Sequence, residues 1–147
     1  MKAREIMTTE LVTVPPSTSL HEAARLMREA NIGDVLVVDQ DKLVGILTDR
    51  DIVVRAVARG MDIRQATVGD HMTRELFTGM PDWDVDDVAD IMGEEQIRRM
   101  PIVENGRLVG IISLGDIAVQ AMEEETTAEA LQEISEPAMP RLGELRR

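Results

Sequence analysis

Leu20, Ala23, Ala24, Met27 and Ala30 fall at helical spacing, and a few residues on the pattern changes to a continuous apolar run, Val35-Leu36-Val37-Val38. The first spacing predicts an amphipathic helix and the second a buried strand. Before the helix, Leu11-Val12-Thr13-Val14 reads as a short strand stopped by Pro15-Pro16, and Ser19-Leu20-His21-Glu22 as a capping box. Asn31-Ile32-Gly33 ends the helix. Asp39-Gln40-Asp41-Lys42 turns the chain into a second strand, Leu43–Leu47, and a second helix is expected over Asp49–Arg59, with Ile52, Val53, Ala56 and Val57 as its apolar stripe.

The plan then starts again. Leu76-Phe77-Thr78 is the expected short strand, Pro81 breaks it, and Asp84 is expected to cap a helix bearing Val85, Val88, Ala89, Ile91 and Met92. Met100–Val103 and Arg107–Ile112 flank Glu104-Asn105-Gly106, a strong hairpin signal. A last helix runs from Leu114 into Glu123-Glu124-Glu125. Each unit reads β-α-β-β-α. The second follows the first at one constant offset: Gly45-Ile46-Leu47-Thr48-Asp49-Arg50-Asp51 returns 65 positions later as Gly110-Ile111-Ile112-Ser113-Leu114-Gly115-Asp116, and Met7-Thr8 returns as Met72-Thr73.

This organisation gives repeat one at 1–60, a linker at 61–67, repeat two at 68–125 and a tail at 126–147. In the tail, Ala128–Ile134 is expected as a helical stub interrupted by Pro137 and Pro140, in an appended segment that is either partly disordered or partner-docking. Units of roughly 60 residues are marginal alone, so the halves are expected to share a core. Phe77 and Trp83 are the only aromatics, which leaves Val, Ile, Leu, Met and Ala to build it. The net charge of −12 disfavours nucleic acid as a partner but leaves room for a small anion on a local basic cluster. With no cysteine, disulfide and thiolate chemistry are excluded. No apolar run approaches the ~20 residues of a membrane span, so a soluble cytoplasmic protein is expected.

The repeated Gly-x-x-Thr/Ser-x-x-Asp motif stands where a strand hands over to a helix. Thr48 and Ser113 fall at the N-cap, with Asp51 and Asp116 in the first turn. Glycine permits close approach of another group, the helix start favours an anion, and a carboxylate accepts two hydrogen bonds from a ribose diol. The set suits a nucleoside. It equally suits an ordinary helix cap, with the glycine serving packing alone, and duplication copies caps as faithfully as sites.

The duplicated β-α-β-β-α unit ending in this motif resembles the CBS (cystathionine-β-synthase) domain, paired as a Bateman module over about residues 4–122. Ile6-Met7-Thr8, Val12-Thr13-Val14-x-Pro16 and Ile97–Val103 are further family-like pieces. The resemblance implies an α+β fold, with two repeats related by pseudo-two-fold symmetry and small sheets flanked by helices. It implies a non-catalytic regulatory module binding AMP, ADP, ATP or S-adenosylmethionine, with Mg²⁺ only alongside ATP. Asp51 with Thr48, and Asp116 with Ser113, would hold ribose. Thr13, Val14 and Pro15, Thr78, Gly79 and Met80, Gly33, Asp34 and Val35, and Arg99, Met100 and Pro101 would meet adenine; Arg50, Arg98 or Arg99 would meet phosphate. Gly33-Asp34-Val35-Leu36 stands where repeat two has Arg98-Arg99-Met100-Pro101, so the two sites are expected to differ in affinity. The family habit of joining through the helices after each motif implies a homodimer with Val54, Val57, Val119 and Met122 near the contact.

His21 and His71 lack metal-ligand spacing and read as surface residues. The acidic run Asp82, Asp84, Asp86, Asp87 and Asp90 reads as a solvated helix start, and the ten methionines mostly as core. No serine or lysine stands with a base in a catalytic pattern, so no enzyme is indicated. The alternative function is a structural or protein-interaction module with vestigial sites.

Overall fold

The computed structural model describes residues 1–132. Repeat one contains α1 (Ala3–Ile6), β1 (Thr13–Val14), α2 (Leu20–Ala30), β2 (Asp34–Asp39) and β3 (Lys42–Thr48). One α-turn, α3 (Asp49–Asp51), follows, continued by a π-helical stretch, Ile52–Ala56, and a 3-10 turn, Val57–Arg59. Repeat two contains a 3-10 turn, Val68–Asp70, then α4 (Val85–Glu95), β4 (Arg99–Glu104), β5 (Arg107–Ser113) and α5 (Leu114–Gln132). The expected α-helix over Asp49–Arg59 is thus helical but not α beyond its first turn. Ile52-Val53-Val54 is a run of three β-branched residues, whose side chains crowd an α-turn. At the other end α5 runs without a break through Gln132, over most of the expected stub. Residues 133–147, with Ile134, Pro137 and Pro140 of the expected tail, lie outside the described residues. Among those described, no helix is long and apolar enough to cross a membrane.

The two hairpins share one register. Asp34↔Thr48 through Val37↔Gly45 is matched by Arg99↔Ser113 through Ile102↔Gly110, each with its register shift after Val37 or Ile102. Gln40 and Asp41 (φ 51° and 64°), like Asn105 and Gly106 (φ 52° and 78°), have positive φ at both turn positions, as a two-residue hairpin of matching twist requires. β1 pairs in parallel with β2. The expected strand Leu76–Thr78 does not form; Gly79 alone bridges Ile102. The cause is Pro101. In repeat one the equivalent Leu36 donates its N–H to the Val12 carbonyl at 3.2 Å, and proline has no N–H to give.

Two of the expected caps also differ. The Ser19 hydroxyl accepts from the Glu22 N–H at 3.1 Å, but the Glu22 carboxylate pairs with Arg25 rather than reaching back. Asp84 holds the N-cap position of α4 without a side-chain cap bond; its carboxylate lies 3.7 Å from Lys2 Nζ.

The core is not shared but exchanged. One cluster gathers Val14, Leu20, Ala23, Met27, Val35, Val37, Leu47, Ile52 and Ala56 of repeat one with Val68 and Met72, which open repeat two. The other gathers Val88, Met92, Met100, Ile102 and Ile112 of repeat two with Ala3, and with Ile6 and Met7 packed against it. Each repeat lends its first element to the other's core. Backbone bridges repeat this crossing at the same offset: Thr8↔Ile111 with Thr73↔Ile46, and Lys2↔Asp84 with Thr67↔Ser19. The segment between the repeats is stitched down as well, because Ala66 and Ile63 carbonyls accept from the Leu20 and His21 N–H groups at 2.9 and 3.0 Å. Met27, Met72, Met92 and Met100 are buried, whereas Met1, Met61, Met80 and Met122 are exposed, so the methionines divide between core and surface.

His71 is buried, against the expectation of a surface residue. It occupies the exchanged segment, where repeat one has Ile6; its Nδ1 lies 2.9 Å from the Thr67 carbonyl and its Nε2 3.3 Å from Met61 Sδ.

The motif glycines receive the exchanged methionines. A Cβ on Gly45 would stand 2.4 Å from Met72 Sδ and 3.0 Å from the Thr73 carbonyl oxygen; one on Gly110 would stand 2.5 Å from Met7 Sδ, with Met7 side-chain atoms as its three nearest neighbours. Gly45→Ala and Gly110→Ala should each cost about 1–3 kcal/mol as overpacking. Gly45→Ala should cost more, because backbone yields less readily than a methionine tip. Urea denaturation of the two variants measures the difference, and equal costs would mean that the backbone contact is immaterial.

Candidate functional site

The strand-to-helix corner of each repeat is a reciprocal capping box. The Asp51 N–H donates to Thr48 Oγ1 at 3.1 Å, and the Thr48 N–H donates to Asp51 Oδ2 at 2.9 Å. In repeat two the Asp116 N–H donates to Ser113 Oγ at 3.0 Å and the Ser113 N–H to Asp116 Oδ2 at 2.9 Å. Both motifs therefore cap helices. The box uses one carboxylate oxygen and leaves the second.

The second oxygens have different fates. Asp51 Oδ1 lies 3.6 Å from Arg55 Nε, one helical turn on, and Arg55 also donates to the His71 carbonyl at 3.3 Å. The position equivalent to Arg55 is Gln120, which bonds instead to Glu124 at 3.3 Å. Asp116 Oδ1 has no partner among the described residues.

Asp116 and Ser113 line a cavity of about 560 Å³ with Thr8, Glu10, Leu11, Val12, Ala30, Ile32, Gly33, Asp34, Leu36, Arg99 and Ile111. The volume is within the ordinary range for small-molecule sites. Its walls come from both repeats. Crossing of the chain at Thr8 and Ile111 sets the segment that leads into β1 and the β2 entry of repeat one against the capped corner of repeat two. A nucleoside-sized guest would meet apolar wall from Leu11, Val12, Ile32 and Ile111, and polar groups from Ser113 and Asp116.

One ion pair joins two residues of this lining. Arg99 donates to Asp34 Oδ2, and the two occupy equivalent positions of the two repeats. Asp34 is largely buried. Burial pushes its carboxyl above the usual carboxylate range, and the Arg99 guanidinium opposes that shift.

The cavity thus brings together Gly33, Asp34, Arg99, Ser113 and Asp116 of the residues expected from sequence. Thr48, Asp51 and Arg50 stand at the other capped corner, with Arg50 exposed. Thr13 lines a separate surface depression with Leu11, Val38, Asp41, Arg107 and Leu108. Val14, Val35, Met100 and Pro101 are buried, and Gly79 is held in its bridge. Pro15, Thr78, Met80 and Arg98 are exposed and line neither of these cavities. Thr8, Glu10, Leu11, Val12, Ala30, Ile32, Leu36 and Ile111 were not expected. A signal for the first existed, since Met7-Thr8 recurs as Met72-Thr73, but a repeat does not reveal that its opening segment crosses over.

Comparison with known proteins gives a consistent picture. The CBS domain family profile matches residues 3–57 and 68–123. The chain is 45% identical over 132 residues to the CBS domain-containing protein YhcV of Bacillus subtilis, covering 90% of this chain and 94% of that one. It superposes with TM-score 0.76 and 32% identity on the CBS domain pair of protein MJ0100, solved in complex with 5′-methylthioadenosine and S-adenosyl-L-methionine, over 84% of this chain and 98% of that one. A hexameric CBS-CP12 protein from bloom-forming cyanobacteria matches with TM-score 0.72 and 34% identity over 80% of this chain and 69% of its own. Two matched repeats, the shared fold and near full-length relatives lead to one conclusion: the chain belongs to the CBS-domain family and consists of a tandem CBS pair.

Proposed function

We propose that this CBS pair is a non-catalytic sensor that binds an adenosine-containing ligand in the cavity between the repeats. The observation that carries the reading is the carboxylate of Asp116, fixed by its capping box with one oxygen left to the cavity, beside the Ser113 hydroxyl. A fixed acceptor beside a hydroxyl is what a ribose diol needs. The apolar wall suits a purine face. The likeness to a pair solved with two adenosine compounds supports the same ligand class. Bound between the halves, such a ligand would bias whichever arrangement of the repeats it contacts better.

Thermal-shift screening against adenosine, AMP, ADP, ATP and S-adenosylmethionine, with and without Mg²⁺, tests the reading; a ligand at a hundred times its Kd should stabilise the fold by about 2.7 kcal/mol. Asp116→Ala should weaken the ligand by about 1.5–3 kcal/mol by calorimetry, the scale of a lost charged hydrogen bond. Asp51→Ala should lower the melting temperature with a much smaller effect on binding, because Arg55 already occupies that carboxylate. No shift with any of the five compounds would return the protein to the class of interaction modules.

We also propose self-association through the segments after each motif. Val53, Val54 and Val57 on one, and Leu114, Val119 and Met122 on the other, are each about half exposed. Apolar surface of this kind marks interfaces, and two-fold closure is the commonest solution. The unmodified protein should be a homodimer in light scattering at micromolar concentration, and Val54→Glu with Val119→Glu a soluble monomer. A monomeric unmodified protein would rule the interface out.

A further inference from the structure

The ionisable groups lining the cavity are Glu10, Asp34, Asp116 and Arg99, three carboxylates against one guanidinium. The guanidinium is already committed to Asp34. Other nearby arginines lie elsewhere: Arg98 is exposed outside the lining, Arg107 lines the separate depression, and Arg55 serves Asp51. A phosphate entering this space would have to draw Arg99 away from a largely buried carboxylate and also face Glu10 and Asp116. The chain as a whole, at −12, adds no attraction for an anion.

We propose that the cavity selects adenosine-class ligands without net negative charge, neutral nucleosides and thionucleosides or cationic sulfonium nucleosides, over nucleotides, and that the Asp34–Arg99 pair determines this choice. This rests on reading the cavity as an adenosine site. Ribose contacts to Asp116 are common to every member of the class, so they set affinity without discriminating. The charge beyond the 5′ carbon discriminates. A phosphate meets uncompensated carboxylates and an occupied arginine, whereas a sulfonium meets the same carboxylates with attraction. The pair replaces the phosphate that a free arginine in that place would attract.

Calorimetry on the full chain, without Mg²⁺, with adenosine, S-adenosylmethionine, AMP and ATP as probes, tests this. Adenosine and S-adenosylmethionine should each bind tighter than ATP by more than about threefold, a modest ratio for carboxylates facing a polyphosphate across a partly solvated cavity. Asp34→Asn should reduce that ratio by raising ATP affinity, since it releases Arg99 and removes a negative charge. Glu10→Gln, at an exposed position, should move the ratio in the same direction and serves if Asp34→Asn lowers the melting temperature too far to measure. Added salt should also shrink the ratio. ATP binding within threefold of adenosine, or tighter, overturns the inference while leaving the adenosine site standing. A ratio unmoved by Asp34→Asn or Glu10→Gln overturns the assignment to these carboxylates. Failure of all four probes to bind overturns the adenosine site itself, and this inference with it.

Discussion

The contact on which this structure depends is a methionine laid on a glycine, made twice. Met7 rests on Gly110 and Met72 on Gly45, each methionine coming from the repeat that does not own the glycine. The space is too small for a Cβ, so the sheet surface must be bare there. Through these contacts the opening segments cross over, and the crossing fills both cores. Burial of a large apolar side chain is worth roughly 1.5–3 kcal/mol, and a domain of this kind holds a net 5–15 kcal/mol. A few exchanged side chains such as Val68, Met72 and Met7 therefore weigh as much as a large fraction of the whole stability. The same crossing brings the chain from Thr8 to Val12 past the capped corner of repeat two, so the cavity follows from the core rather than being added to it.

Duplication copied the capping boxes closely and the electrostatics around them poorly. Both corners spend one oxygen of an aspartate on a backbone N–H, at 2.9 Å in each. One turn on, repeat one places Arg55 and repeat two Gln120. That single difference turns one carboxylate inward to its own helix and leaves the other facing the cavity. The π-helical course of the segment carrying Arg55, against the regular α5, is a second difference between two corners that begin alike.

Much of the fold was legible from residues alone. The 65-residue offset, the apolar runs of β2 and β4, the Asn105-Gly106 turn and the Thr48 and Ser113 caps are local signals, and local physics decided them. The failures each involve a distant partner or a competing one. Leu76–Thr78 has strand-forming residues, but the donor it lacks is on Pro101. Glu22 has the spacing of a capping box, but Arg25 is the better partner for a carboxylate. Asp84 is drawn to Lys2 by the crossing of the N-terminus. His71 reads as polar and exposed until the exchange places it inside. The site shows the same division: the capped aspartates and Asp34 with Arg99 stand out in the repeat pattern, whereas the approach of repeat one's Thr8–Val12 segment to repeat two's corner depends on topology. The glycine of the motif has a clear use here, and it is packing.

Asp34 and Arg99 occupy the same position of the two repeats and touch across the axis that relates them. Had the two halves been identical chains meeting about a true two-fold, that place would hold the same residue twice, two carboxylates or two guanidiniums in repulsion. An attractive pair of opposite charge exists there only because the halves are joined and free to diverge. Joined in this way, the protein has a polarity that no symmetric pair of units has: at this position one repeat carries a carboxylate and the other a guanidinium. A guest lying between the repeats meets two different neighbours and so has a single preferred direction.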